Sequence, residues 1–270
     1  MQPAPGPLSA PSPWDDVAPA YAATIVPFLE RYALEALTLG ELEPGAHVLD
    51  VACGPGTLTI HAAQRARRVS AIDFSPQMVE QLRARLAAGN VRNVDAEVMD
   101  ATALTFHDSS FDGVFCMFGA MFFPDRTRAF AEMRRVLRHG RRAVVATWST
   151  LERRPLMQVI GQVMSELVPG GPMSEALPME TLADCEAELL TVGFRDVVAK
   201  SVSMSLRFES TDDYWEGFTA AAAPLFMLRK RLGEPAYAEL AERAKARLRE
   251  LRGDGPLELE AEALLTVGMR

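Results

Sequence analysis

Two rhythms of apolar and polar positions alternate along residues 46–148, and their alternation predicts the architecture. Short apolar runs at 46–51, 68–72, 93–98, 111–117 and 142–148 read as strands. Between them, apolar residues recur at helical spacing over 57–66, 76–88 and 125–138. In the last of these, Phe130, Met133, Val136 and Leu137 share one face. Ser75-Pro76 marks a helix start, because serine caps free amides and proline suits the first turn. Strands alternating with helices imply parallel strands joined by crossover helices, hence an open α/β sheet.

The flanks follow other patterns. Residues 1–13 hold five prolines among alanine and serine, which predicts a disordered or extended arm. Tyr21, Ile25, Phe28, Leu29, Tyr32 and Leu37 form a helical stripe, predicting one or two helices before the first strand. A short helix and a mobile loop carrying Gly170-Gly171 are expected over 151–178. A helix at 179–192, a strand at about 195–208 and helical patterns at 211–232 and 235–252 follow. Leu257 to Val267 reads as a last edge strand.

Composition narrows the possible partners. With 28 basic and 36 acidic residues the formal charge is −8, which argues against a general nucleic-acid binder. Arg134, Arg135, Arg138, Arg141 and Arg142 cluster at a predicted helix end, where cations complement the helix dipole. Cys53, Cys116 and Cys185 are widely spaced without a Cys-x-x-Cys pair, so a reducing compartment is expected and a zinc site is not. The first basic residue is Arg31, no signal peptide is visible, and no segment nears the ~20 apolar residues that span a bilayer. A cytoplasmic protein without membrane contact is the expectation.

The chemistry concentrates in residues 48–57, Val-Leu-Asp-Val-Ala-Cys-Gly-Pro-Gly-Thr. An apolar strand bearing Asp50 ends in a glycine turn, where Gly54 and Gly56 allow sharp bending and close approach of a ligand. A second acid, Asp73, closes the next strand. Strand, turn, helix, strand and acid in that order describe a nucleotide-type cofactor on a doubly wound sheet. The dinucleotide fingerprint needs a third glycine, and Thr59 stands there instead.

The stretch resembles the first motif of the class I S-adenosylmethionine-dependent methyltransferases. Ala71-Ile72-Asp73-Phe74-Ser75 with Met78, Asp100-Ala101, Ser110-Phe111-Asp112 and Arg134-Arg135-Val136-Leu137 match four further motifs in order. Together they cover about residues 46–148, in the small-molecule branch that includes ubiquinone- and menaquinone-biosynthesis-type enzymes. One departure is His139-Gly140-Arg141, where that family usually carries Pro-Gly-Gly. The expected turn there lies away from the ligand end of the sheet.

The resemblance implies a Rossmann-like, doubly wound, mostly parallel seven-stranded sheet with an antiparallel last strand. It implies one domain over 14–270, with a cofactor-binding core at 40–150 and a helical cap from 14–39, 151–178 and 211–252. S-adenosyl-L-methionine would be the cofactor. Gly54 and Gly56, with Ala52 between strand and turn, would approach its amino-acid half, and Asp50 would orient its ammonium. Asp73 would accept from both ribose hydroxyls. Asp100 and the Ala101 amide would read the adenine between Phe74 and Met78, with Tyr21 and Met117 as further contacts.

Methyl transfer from a sulfonium needs chiefly alignment and exclusion of water. No general base stands out, so the catalytic residue is unknown. His107, in the loop before the fourth strand, is the only histidine expected near the ligand end, and none is spaced as a metal ligand. Phe118, Phe122, Trp148, Met157 and Trp215, with Phe218 and Phe226, suggest an apolar or aromatic small acceptor under a closing lid. A monomer or homodimer is expected. The alternatives are a non-catalytic protein that holds S-adenosylmethionine or S-adenosylhomocysteine, and a dinucleotide oxidoreductase.

Overall fold

A computed structural model describes residues 6–168 and 177–270. The first five residues of the proline-rich arm and the Gly170-Gly171 loop lie outside the described residues.

Seven strands form one sheet: β1 (His47–Val51), β2 (Arg68–Asp73), β3 (Val94–Val98), β4 (Phe111–Met117), β5 (Leu137–Trp148), β6 (Arg195–Phe208) and β7 (Leu257–Met269). Their order is β3-β2-β1-β4-β5-β7-β6. Every pairing from β3 to β5 is parallel, whereas β7 runs antiparallel to both β5 and β6. The chain reverses its direction of winding between β1 and β4. At such a switch point neighbouring loops diverge and leave a crevice at the strands' carboxyl ends.

Nine α-helices flank the sheet among the described residues: α1 (Ser12–Leu39), α2 (Thr57–Ala63), α3 (Pro76–Ala88), α4 (Arg126–Val136), α5 (Pro155–Leu167), α6 (Leu182–Thr191), α7 (Thr211–Thr219), α8 (Ala223–Leu232) and α9 (Glu234–Arg252). Helix α3 begins where its cap requires, with Ser75 Oγ accepting from the Met78 amide at 3.1 Å. Asp125 does the same for α4, accepting from Arg128 N at 2.9 Å.

Alternating side chains of the central strands divide the core. Leu49, Val51, Ile72, Val114 and Cys116 meet Phe130 and Met133 of α4 on one face. Val48, Val69, Phe115 and Val144 meet Tyr32, Ala33 and Leu37 of α1 on the other. Tyr32 is fully buried and its hydroxyl donates to the Ala261 carbonyl at 2.6 Å, tying α1 to β7. A third cluster joins α5, α7, α8 and α9 over the start of β7, through residues such as Ile160, Tyr214, Trp215, Leu225 and Leu248.

The arginine cluster is structural. Arg135 bridges Glu132 and Asp108, each at 2.7 Å, Arg138 pairs with Asp112 at 2.5 Å, and Arg141 with Glu43 at 2.7 Å.

Four expectations are corrected. Residues 7–9 form a 3-10 turn and α1 starts at Ser12, so this part of the arm is folded, held by Trp14 Nε1 donating to the Leu8 carbonyl at 2.8 Å. The helical pattern at 211–232 breaks into α7 and α8, because Pro224 has no amide to continue a helix and starts the next one. Residues 139–141 lie within β5 rather than in a turn before it, with Gly140 at φ +72° beside the register shift between β4 and β5. Strand β7 is not an edge. It lies between β5 and β6, which leaves β6 as the edge, with Val198 61% exposed.

Candidate active site

The glycine turn after β1 is built on left-handed backbone. Ala52, Gly54 and Gly56 have φ of +54°, +52° and +87°. Such values cost a residue with a Cβ roughly 1–2 kcal/mol. A Cβ on Gly54 would meet nothing within 4 Å, so the turn leaves open space on the cavity side. A Cβ on Gly56 would collide with Leu82 of α3, and Gly56 does not line the cavity. Its small size therefore serves the packing of α2 against α3.

Asp73 locks this turn to the end of β2. Its Oδ2 accepts from the Gly54 amide at 2.8 Å and its Oδ1 from the Ser75 amide at 2.9 Å. Burial pushes its carboxyl up to about 6, against those two amides, which favour the ionised form. Each oxygen retains a lone pair for a further donor.

Asp50 lies deeper, 1% exposed. Thr59 Oγ1 donates to its Oδ2 at 2.5 Å, while Oδ1 is buried with no partner among the described residues. Burial pushes this carboxyl up to about 7. Beside a turn that leaves space, an orphaned buried carboxylate oxygen suits a cationic or hydrogen-bonding ligand group.

These groups open into one cavity of about 1060 Å³ at the carboxyl ends of the strands. Tyr21, Asp50, Ala52, Gly54, Asp73, Phe74, Met78, Asp100, Ala101 and Met117 all line it, as do Phe118, Phe122, Trp148 and Met157. Asp100 stands at the exposed rim, where its Oδ1 accepts from Thr102 N at 2.8 Å. Burial and the nearby Asp73 charge push the Tyr21 hydroxyl upward, so it is a neutral donor. Trp148 stacks on Phe118 at 4.3 Å between ring centroids and on Phe28 at 5.9 Å, forming an aromatic wall.

Trp215 and His107 lie elsewhere. Trp215 is 3% exposed in the cluster of α5, α7, α8 and α9, and Phe226 packs against Val17 and Met78; neither lines the cavity. His107 shares a shallow hollow with His47, the first residue of β1, so it stands at the amino ends of the strands. The connection from β3 leaves the ligand end at Asp100 and has descended to the start of β4 by Phe111, carrying His107 away from the site.

Several lining residues escaped the sequence reading. Trp14, Ile25 and Phe28 come from α1, while Glu152, Arg154 and Glu180 come from the segment after β5. Gly119 is another. A Cβ there would collide with Ala52, so its absence permits the left-handed turn at Ala52. A glycine two residues past an apolar strand was its only signal. Among the described residues no helix is long and apolar enough to cross a membrane.

Known proteins resemble this chain in sequence and in fold. Residues 48–140 match the family described as a methyltransferase domain. A demethylmenaquinone methyltransferase of Corynebacterium efficiens is 37% identical over 126 residues, 47% of this chain and 50% of that protein. The chain thus spans about half the length of such curated relatives. Phosphoethanolamine N-methyltransferase 2 of Haemonchus contortus, solved with S-adenosylhomocysteine, superposes with a TM-score of 0.56 at 18% identity, over 89% of this chain and 52% of that one. The [4+2]-cyclase SpnF superposes with a TM-score of 0.60 at 18% identity, over 99% of each chain. The resemblance drawn from the five motifs holds over residues 48–140, which match a methyltransferase domain, and the sheet is that of the solved neighbours. The cyclase is a reminder that a fold hosts more than one reaction.

Proposed function

We propose that this protein transfers a methyl group from S-adenosyl-L-methionine to a small organic acceptor with an apolar or aromatic body. The observation that carries the reading is the unpartnered, buried Oδ1 of Asp50, a residue that lines the same cavity as Gly54. An ammonium would satisfy it. Asp73 would hold the ribose hydroxyls, while Asp100 and the Ala101 amide would hold the adenine with Phe74 and Met78 at its faces. Tyr21 and Met117 would flank the sulfur end.

The cavity volume supports a second occupant. At about 1060 Å³ it stands at the upper end of ligand-pocket volumes, roughly 300–1,000 Å³, which suits two reactants side by side. Trp148, Phe118, Phe28 and Met157 offer an apolar wall for the acceptor. The relative named for demethylmenaquinone supports the same acceptor class.

When bound, the cofactor supplies a methyl on a sulfonium whose departing thioether is a good leaving group. An acceptor lone pair would receive that methyl as the thioether leaves with the electron pair, and any acceptor proton would pass to solvent on product release. The chain's part is to align the two reactants and exclude water. The reading includes one domain over 14–270 with its helical cap, a cytoplasmic location, and a monomer or homodimer that binds no nucleic acid.

Calorimetric titration with S-adenosylmethionine, S-adenosylhomocysteine and NADH tests this. Micromolar binding of the first two alone supports it, and methyl transfer to a screened acceptor completes it. Binding of NADH alone overturns it. A protein that binds both sulfur compounds but methylates nothing in a broad acceptor screen is a binding protein instead.

A further inference from the structure

Among the described residues six charged side chains line the cavity, and they are unevenly placed. Asp50, Asp73 and Asp100 stand at the ends of the first three strands, around the glycine turn. Glu152, Arg154 and Glu180 belong to the segments that follow β5. Arg154 is the single cation lining the cavity among the described residues.

This arginine is 4% exposed. Its Nε donates to the Thr150 carbonyl at 3.4 Å and one terminal nitrogen to Glu180 Oε1 at 3.1 Å. No other group among the described residues accepts from it. A guanidinium carries five N–H donors and cannot shed its charge, so three donors are left unused in a largely desolvated place. Burial acts against the charge and is only partly opposed by Glu180 and Glu152. Trp148, Leu151, Met157 and Leu177 line the same cavity.

We propose that Arg154 binds an anionic oxygen group, a carboxylate or an ionised hydroxyl, on the apolar methyl acceptor. The proposal rests on the reading of the cavity as a methyltransferase site. The planar fork of a guanidinium matches such a group with two parallel hydrogen bonds, and an oxyanion would use the donors that the protein leaves free. Glu180 is a positioning residue. It touches the guanidinium through one oxygen only, so it orients the group and leaves three of the five N–H donors unused. A cationic amine acceptor would face the guanidinium charge directly. The anion could also be the carboxylate of the cofactor's amino-acid half. The acceptor is favoured because Arg154 follows β5, whose end carries Trp148 of the aromatic wall, while the aspartates and the glycine turn stand at the ends of β1, β2 and β3.

The test uses the full chain saturated with S-adenosylhomocysteine, at pH 7. It is titrated with 6-hydroxy-2-naphthoate and with 6-hydroxy-2-naphthamide, which share shape but not charge. The expected result is at least ~10-fold tighter binding of the acid. Arg154→Gln should remove that preference while S-adenosylhomocysteine affinity stays within about twofold. Arg154→Lys should restore part of it, since the charge returns without the fork. Glu180→Gln should weaken the acid less than Arg154→Gln does.

Equal binding of acid and amide by the unaltered protein overturns the proposal without using any variant. So does binding of neither probe, or a preference that survives in Arg154→Gln. A greater than ~10-fold loss of S-adenosylhomocysteine affinity in the folded Arg154→Gln protein would assign the arginine to the cofactor's carboxylate instead. Failure of the unaltered protein to bind S-adenosylhomocysteine would instead remove the functional reading beneath the proposal.

Discussion

The strand ends around Asp50 and Asp73 and the cap around Trp148 and Arg154 enclose one cavity, yet they are made differently. The strand-end half is backbone-driven. Its geometry depends on left-handed φ at Ala52, Gly54 and Gly56 and on two loop amides gripping Asp73. The cap half is side-chain-driven. Aromatic rings, methionines and one buried ion pair from α1, α5 and neighbouring segments supply its wall. A backbone-driven site tolerates few residue types at each position. A side-chain-driven wall can be rebuilt from many apolar combinations, which suits a surface whose ligand differs between relatives.

The sharpest contrast between the halves comes from replacing a cap residue that does not touch the cavity. Trp215→Ala is expected to cost about 3–5 kcal/mol of stability, as for other buried tryptophans, with cofactor affinity unchanged in the protein that remains folded. Denaturant unfolding and calorimetry check this. An affinity loss matching the stability loss would show that the two halves are coupled.

Asp73→Ala is the corresponding cut in the strand-end half. It removes the grip on Gly54 and Ser75 together with two acceptors. S-adenosylhomocysteine affinity should fall ~10–100-fold by calorimetry, the loss of one or two charged hydrogen bonds. Unchanged affinity in a folded variant would sink the assignment of Asp73.

Asp50 offers a pH test of the same half. Its carboxyl, raised by burial to about 7, favours the protonated form in the fold. That contribution to stability is complete below the ordinary carboxylate range, about pH 4, and is lost as pH rises through about 7. An ammonium ligand wants the ionised form. S-adenosylhomocysteine affinity should therefore rise at least about tenfold between pH 6 and 8. In Asp50→Asn only about a twofold rise should remain, from Asp73 at about 6. A flat profile in the unaltered protein would separate Asp50 from the ammonium.

The smallest effect is expected where the halves meet. Asp15 Oδ1 accepts from Ser75 Oγ at 2.6 Å and from Gln77 N at 3.1 Å, pinning the start of α1 to the start of α3. Asp15→Ala should cost about 1 kcal/mol and loosen cofactor binding only a few-fold, measured by thermal unfolding and calorimetry.

The same contrast explains what could be read from the chain. Helix 76–88 and strands 111–117 and 195–208 stand where pattern and caps place them. The left-handed turn was legible because glycines and acids at fixed spacing serve a backbone shape that few other residues allow. Trp148 and Trp215 mark where this stops. Both are large, apolar and near the cap, but one faces the cavity and the other faces α5 and α9. Which side of an apolar strand end or helix meets a neighbour depends on packing between segments far apart in the chain, and no local spacing encodes that. His107 was misplaced for a different reason, since a loop joining parallel strands without a helix must cross from one end of the sheet to the other.

The insertion of β7 between β5 and β6 imposes an order in time. Strand β6 pairs with β7 alone, so it has no place in the sheet until residues 257–269 have been made. At roughly 5–20 residues per second, a ribosome needs about 3–12 s to move from the end of β6 to the end of β7. During that interval a long strand with every ladder group unmatched trails from a nearly finished sheet. Such an edge invites pairing with another nascent chain. The period of greatest need for a chaperone would thus fall while residues 209–269 are being made, after β1 to β5 have left the ribosome.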